Sequence, residues 1–276
     1  MWQIKWFKIG LLIFSGLLAV GATFIVILIH ERSFSESPAP STSETPQPSL
    51  QGYLPEPKTL GVAAKNESSD PIFMYHHIQD VSDNLSLSPA KFRSEVEYLS
   101  QNNYQVITLS ELFNDTPGEK AVLTFDDGYK DVIDNALPVL KKFGFRGVVF
   151  IIVNNIGQSG YMSFDDLRVL KNEGWEIGSH SLTHPDFKIL SDELAKKQIV
   201  ESKKILEDGL NIKIEYFCYP AGRYNETTVN LVKEAGYVGA VTIKPGTKNS
   251  KDKIFELKRI RIQSAETLFG FKSIFK

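Results

Sequence analysis

Thiol chemistry has almost no material in this sequence. Cys218 is its only cysteine, which excludes an intrachain disulfide framework and a Cys-rich zinc site and suits an exported protein that avoids thiols. A lone cysteine of this kind is expected as an apolar core residue. Charge of one sign is also lacking: 31 Lys and Arg stand against 33 Asp and Glu, a formal net charge of −2. Without a basic stripe there is no case for a nucleic acid partner, and small or neutral substrates fit better. Histidine is scarce, at five residues, and none follows His184. No internal repeat is present.

What is present divides by composition. Trp6 to Ile29 is almost uncharged, interrupted only by Lys8, and Ile9 to Ile29 supplies the ~20 residues that a bilayer-spanning helix needs. Lys5 and Lys8 precede the run and favour an N-terminus inside with the remainder outside. Ala19-Val20-Gly21-Ala22 offers small residues for signal-peptide cleavage. The apolar run nevertheless continues past the length of a signal core, so residues 1–32 are expected to be an uncleaved, single-pass membrane anchor. From residue 33 to 69 Ser, Pro, Thr and Glu dominate, as in Ser37-Pro38-Ala39-Pro40. Such a segment buries too little apolar surface to offset its ordering entropy, and it is expected to be a disordered tether. Residues 70–276 are then expected to form the folded, function-bearing domain, outside the cytoplasm.

Within that domain strand and helix patterns alternate. Pro71 to Tyr75 reads as a strand ending in His76-His77. Ser88 and Pro89 open a helix with Phe92, Val96 and Leu99 on one face. Strands are expected at Gln105 to Thr108, through Ala121-Val122-Leu123, and at Gly147 to Val153, Trp175 to Gly178, Tyr216 to Tyr219, Val238 to Ile243 and Leu257 to Ile262. Helices are expected at Ala136 to Phe143, Phe164 to Glu173, Ser191 to Asp208 and Asn225 to Ala235. Repeated β-α units argue for a barrel-like α/β domain, incomplete closure being allowed, with function on the loops at one end.

Chemistry collects at strand ends. Thr124-Phe125-Asp126-Asp127-Gly128 closes an apolar strand with two adjacent carboxylates and a chain-breaking glycine. Neighbouring side chains on a strand face opposite ways, so the two acids take different tasks only where the strand turns. One suits a metal and the other a proton. His180 and His184, four apart, place two imidazoles on one side of a turn, and a carboxylate completes a three-ligand divalent site with a position left for water.

Taken together, Thr124 to Gly128 and His180-Ser181-Leu182-Thr183-His184 resemble the first two motifs of the polysaccharide deacetylases, carbohydrate esterase family 4. The resemblance spans about Pro71 to Ile262. It implies an α/β fold, a distorted (β/α) barrel of about seven strands, a divalent cofactor that is usually Zn²⁺, and removal of N-acetyl groups from polymers of N-acetylglucosamine or related sugars. It assigns Asp127, His180 and His184 as metal ligands and Asp126 as general base. Cys218-Tyr219-Pro220-Ala221-Gly222 resembles the family's third motif and places the backbone of Ala221 as oxyanion donor.

Two departures accompany the resemblance. The third motif usually begins with an Arg that orients the catalytic Asp, and here Cys218 occupies that position. Arg259 and Arg261 are the candidates to replace it, with Arg261 preferred. Family members also commonly carry a late histidine that protonates the leaving amine. Met74-Tyr75-His76-His77 resembles the start of permuted members, including those acting on poly-β-1,6-N-acetylglucosamine, so His76 is expected as general acid with His77 as second choice.

The reading is a membrane-tethered, metal-dependent polysaccharide N-deacetylase acting on a cell-envelope or extracellular glycan. Its alternatives are an O-acetyl esterase on polysaccharide and a glycan-binding module with little turnover. Trp175 is expected in the core, Tyr224 as a groove residue, Asp165-Asp166 as helix capping, and Lys244 to Lys253 as a solvated loop.

Overall fold

The structure, a computed structural model, describes residues 65–275. The expected anchor, and the expected tether up to residue 64, lie outside the described residues. Among the described residues no helix is long and apolar enough to cross a membrane.

Eight parallel strands build the frame: β1 (Ile72–Tyr75), β2 (Gln105–Ile107), β3 (Lys120–Phe125), β4 (Val148–Ile151), β5 (Glu176–Ser179), β6 (Tyr216–Cys218), β7 (Gly239–Val241) and β8 (Ile260–Arg261). Seven follow one path in the order β7-β6-β5-β4-β3-β1-β8, an open arc rather than a closed ring. The eighth, β2, leaves this path to pair with the first half of β3. Every residue of β3 is buried, which is why Ala121-Val122-Leu123 reads as a continuous apolar run and not an alternating one. Its register is fixed on both sides, by Ile72 to Tyr75 along one edge and by β2 and then Val148-Val149 along the other.

The expected last strand is shorter than its apolar pattern. Leu257 makes an isolated bridge to Val241, and only Ile260 and Arg261 ladder with Phe73 and Met74. This segment therefore touches both ends of the arc. It brings the last strand beside the first, as the permuted arrangement requires.

Helices α1 (Pro89–Gln101), α2 (Leu137–Lys142), α3 (Phe164–Asn172), α4 (Asp192–Leu210) and α5 (Glu226–Glu234) follow the periodicity of the sequence. Ser88 caps α1, and Phe92, Val96 and Leu99 are its buried face. At α3, Ser163 and Asp166 form a reciprocal capping box, so Asp166 of the second acid pair is a capping residue. A one-turn π-helix, Val132–Ala136, precedes α2.

Two features lie beyond the sequence reading. Glu67–Ser68 pairs antiparallel with Asn249–Ser250, so ordered chain begins before Pro71. A final helix, α6 (Leu268–Ser273), stacks Phe271 on Phe73 with ring centroids 4.8 Å apart. Alternation along the strands separates two cores. Ile72, Val122, Val148, Phe150, Tyr216, Cys218 and Val241 form one, and their neighbours Phe73, Leu123, Val149 and Phe217 belong to the other, which the helices cover. Trp175 is in that second core, as expected.

Candidate active site and metal centre

The end of β3 decides how two adjacent acids part company. The Asp126 N–H donates to the Tyr75 carbonyl at 2.9 Å, continuing the ladder for one residue. Asp127 then adopts φ 73° and Gly128 φ 79°. The left-handed region is uncommon for a residue with a Cβ, and it persists only where the surroundings hold it. At Gly128 the positive φ favours glycine, and an added Cβ would also crowd Ile151 Cδ1 at 3.1 Å. Ser181, His184 and Ala221 also have positive φ, at 68°, 57° and 49°. These strained turns all follow the ends of β3, β5 and β6, where the sequence placed its motifs.

His180 and His184 reach the same carboxylate from a tight loop, not from a helix. The His180 N–H donates to Ile151 O at 2.8 Å, and the His184 N–H to Ser181 Oγ at 3.0 Å. Gln198 on α4 accepts from the Leu182 and Thr183 N–H groups through Oε1 at 3.1 and 3.0 Å. The imidazole of His180 is buried, and its Nδ1 lies 2.8 Å from the Cys218 carbonyl, a bond in which the ring N–H donates. That bond leaves Nε2 facing Asp127 Oδ1 at 3.4 Å, while His184 Nε2 stands 3.9 Å from the same oxygen.

Asp127 Oδ1 is buried without a hydrogen-bond partner, and one donor atom each from Asp127, His180 and His184 lie within 4.8 Å of one another. A buried carboxylate oxygen left unsatisfied is costly unless something else takes its lone pairs. One carboxylate and two imidazoles, one of them oriented by a backbone carbonyl, are the donor chemistry of a divalent site with a free position. The residues present fit such an ion.

Asp126 points into a different set of partners. Arg259 Nη1 and Nη2 donate to its two oxygens, each at 2.7 Å, and the same guanidinium reaches Thr124 Oγ1 at 2.9 Å, Thr242 O at 2.9 Å and Cys218 Sγ at 3.2 Å. Burial by itself would raise the pKa of Asp126, but the Arg259 charge and hydrogen bonds hold it well below the usual carboxylate range. The preference for Arg261 is thereby corrected. Arg261 is exposed, about 6.6 Å further along an extended chain than Arg259. The long Arg259 side chain instead runs past Thr242 and Thr124 to reach the acid. Cys218 is buried as expected, but against Arg259, Asp126 and His180 and not among purely apolar groups.

The two front histidines separate. His76 is buried with Nδ1 unpartnered. Burial lowers its pKa, the nearby Asp126 and Asp127 charges oppose that, and Arg261 and Arg259 add to the lowering. His77 is committed elsewhere: its Nδ1 is 2.5 Å from Asp131 Oδ2, its ring stacks on Tyr129 at 3.5 Å, and Asp131 Oδ1 accepts from the Ile78 N–H at 2.7 Å. Ala221 lies on the turn Pro220–Gly222 just beyond β6. Tyr224, expected as a groove residue, has one ring face against Tyr219 at 4.1 Å and donates its hydroxyl to Glu256 at 2.7 Å. The stretch expected as a solvated loop is one only in part: Lys244 is exposed and pairs with Glu256, whereas Asn249–Ser250 is a paired strand with Asn249 buried and Lys251–Glu256 a 3-10 helix.

Comparison with known proteins follows the same lines. The sequence profile described as polysaccharide deacetylase matches residues 113–240. The Bacillus subtilis (strain 168) protein YxkH, named for the polysaccharide deacetylases, is 30% identical over 239 residues, covering 80% of this chain and 85% of its own. The chain belongs to the polysaccharide deacetylase family. That family comprises hydrolases acting on linear amide bonds. A second relative, the poly-β-1,6-N-acetyl-D-glucosamine N-deacetylase of Staphylococcus aureus (strain MRSA252), is 26% identical and covers 61% of this chain and 66% of its own length. Among solved structures, the Streptococcus pyogenes deacetylase PplD in complex with acetate superposes with a TM-score of 0.70 at 26% identity, covering 75% of this chain and 98% of that one. In this polysaccharide deacetylase the guanidinium beside Asp126 comes from Arg259, on the segment that leads into β8. Asp131, Gln198 and Tyr129 escaped the sequence reading because no spacing rule marks them. Each acts through a contact between segments distant in the chain.

Proposed function

We propose that this protein is a divalent-metal-dependent N-deacetylase of N-acetylglucosamine-containing polysaccharide in the cell envelope or outside the cell. The observation that carries the reading is the convergence of His180 and His184 on the unsatisfied oxygen of Asp127, beside an Asp126 held ionised by Arg259. The staphylococcal relative, named for poly-β-1,6-N-acetylglucosamine, supports the choice of sugar.

Asp127, His180 and His184 would hold the ion, most simply Zn²⁺ given the ligand types. When bound, a divalent cation polarises a carbonyl and lowers the pKa of water from ~15.7 toward ~7. Asp126 accepts the proton of the attacking water; each of its oxygens keeps a lone pair after accepting from Arg259. Charge gathering on the amide oxygen calls for a fixed donor, and the Ala221 backbone N–H is proposed for it, a contribution of ~3 kcal/mol to the barrier. His76 then gives a proton to the leaving amine as the C–N bond breaks, yielding acetate and a free glucosamine unit.

The apolar run Ile9 to Ile29 and the Ser/Pro-rich stretch after it support an anchored domain that works on an immobile glycan. Membrane fractionation of the full chain, with and without residues 1–32, tests that part. For the chemistry, acetate release is measured from N-acetylglucosamine oligomers and from acetylated xylan after chelation and dialysis, then after re-addition of Zn²⁺. Release from the amide substrate that disappears on chelation and returns with the ion is expected. Undiminished release after chelation overturns the metal role, and release from the ester alone overturns the amide reading.

A further inference from the structure

The metal-centre reading leaves a question of choice, because the described residues offer two sets of donors at ligating distance. One is Asp127, His180 and His184. The other is Asp126, His180 and Cys218, again with all donor atoms within 4.8 Å. The sets compete for one atom. His180 spends Nδ1 on the Cys218 carbonyl, so Nε2 alone remains to ligate, and a single ion in either place removes it from the other.

Distance does not decide between them. His180 Nε2 is 3.4 Å from Asp127 Oδ1 and 4.0 Å from Cys218 Sγ, and Sγ is 3.5 Å from Asp126 Oδ2. Ligands at about 2.0–2.3 Å from a tetrahedral zinc stand roughly 3.3–3.8 Å apart, so both sets need only small adjustments. Donor chemistry favours the second, because a thiolate is a softer and stronger ligand for zinc-like ions than an added imidazole.

What separates the two sets is Arg259. Its Nη2 lies 2.7 Å from Asp126 Oδ2 and 3.2 Å from Cys218 Sγ, so it already engages two of the three donors. The guanidinium cannot deprotonate, and its fork is held by Thr242 O and Thr124 Oγ1. A divalent cation entering there would meet a fixed positive charge in a buried place. The first set has no such occupant, since Asp127 Oδ1 is unpartnered.

We infer that Arg259 is a metal-selectivity residue: it blocks the Asp126–His180–Cys218 set, directs the ion to Asp127–His180–His184 and keeps Asp126 free to take a proton. Its position matters because Cys218 stands where the resembling motif carries an arginine. The exchange of Arg for Cys brings a thiol beside the base, and a guanidinium arriving from the other side of the arc neutralises that hazard.

The test uses the full chain, stripped of metal and titrated with Cd²⁺, whose coordination by a thiolate produces an ultraviolet charge-transfer band. Wild type is expected to bind one ion with no sulfur band. Arg259→Met is expected to bind one ion with the band present, the thiol proton passing to solvent, and Arg259→Met/Cys218→Ser to lose the band. His184→Ala, a change in a partly exposed loop residue, provides a check that does not disturb the buried pair. It is expected to weaken Cd²⁺ binding at least tenfold with no sulfur band, because Arg259 still blocks the second set. A band in wild type or in His184→Ala, or ion binding without a band in a folded Arg259→Met, overturns the inference. Absence of any Cd²⁺ binding by wild type would instead count against the metal centre itself.

Discussion

The two ends of the sheet treat a buried carboxylate in opposite ways. At the C-terminal end, Asp126 meets a bidentate guanidinium and is held ionised. Near the N-terminal end, Glu176 at the start of β5 has only neutral donors, the Leu109 N–H at 2.8 Å and the hydroxyl of Ser110, and burial pushes its pKa up to about 7. Glu95 on α1, which accepts from the Tyr75 hydroxyl at 2.9 Å, behaves like Glu176 and is pushed up to about 8. Burial raises the pKa in all three, and the sign of the net shift follows the charge of the partner. Of these three buried acids, only the one at the functional end is held ionised.

The largest effect that breaks this contrast is loss of the charge at the functional end. Asp126→Asn should lower acetate release by about 10²- to 10⁴-fold, the scale of a lost general base, while isothermal titration still detects one bound ion. Turnover within tenfold of wild type would remove Asp126 as base. Next comes the partner. Arg259→Met leaves Asp126 buried and uncompensated, and breaking a buried pair in this way costs about 3–5 kcal/mol, measurable by urea unfolding at neutral pH. A loss below about 1 kcal/mol would mean that water or another cation takes over.

Glu95→Gln sharpens the other side of the comparison. Its folded pKa of about 8 lies above its ordinary value of 4.5, so the folded state binds more protons between those values. Stability carried by protonated Glu95 is therefore full below about 4.5 and lost as pH rises towards about 8. One pKa unit corresponds to ~1.4 kcal/mol, so wild type should lose up to a few kcal/mol across that window, and the Gln variant should lose less, keeping only the contribution of Glu176, whose pKa is also raised. Equal slopes in the two proteins would show that Glu95 does not titrate there. The smallest effect is expected at Asp131→Asn, which loosens His77 and the strand end that carries His76. A drop in kcat of about threefold to tenfold is expected for a misplaced rather than missing acid, with KM unchanged. A change in KM alone would put Asp131 in substrate binding instead.

Much of the architecture was legible in the chain itself. The order of strands and helices follows from apolar periodicity and from caps such as Ser88, Ser163 and Gly174, because local backbone preferences and a single buried face decide them. The pairing of Asp126-Asp127 with the two histidines was legible through the resemblance of the two motifs to those of the family; their place at strand ends, which share one rim, agrees with it. The α6 helix was not visible: its six residues are too few for a periodic signal, and its place depends on Phe271 meeting Phe73.

The same limit explains the site. Sequence by itself determined which residues could ligate, take a proton or break the chain, because those capacities belong to side-chain chemistry. It left Arg259 and Arg261 as near equals, and it left His77 beside His76. Tertiary structure alone decided that Arg259 reaches Asp126, that His77 is bound to Asp131, and that Cys218 stands between Asp126 and the imidazole of His180. Those outcomes depend on distances between segments far apart in the chain, set by sheet register and by the lengths of side chains crossing the arc.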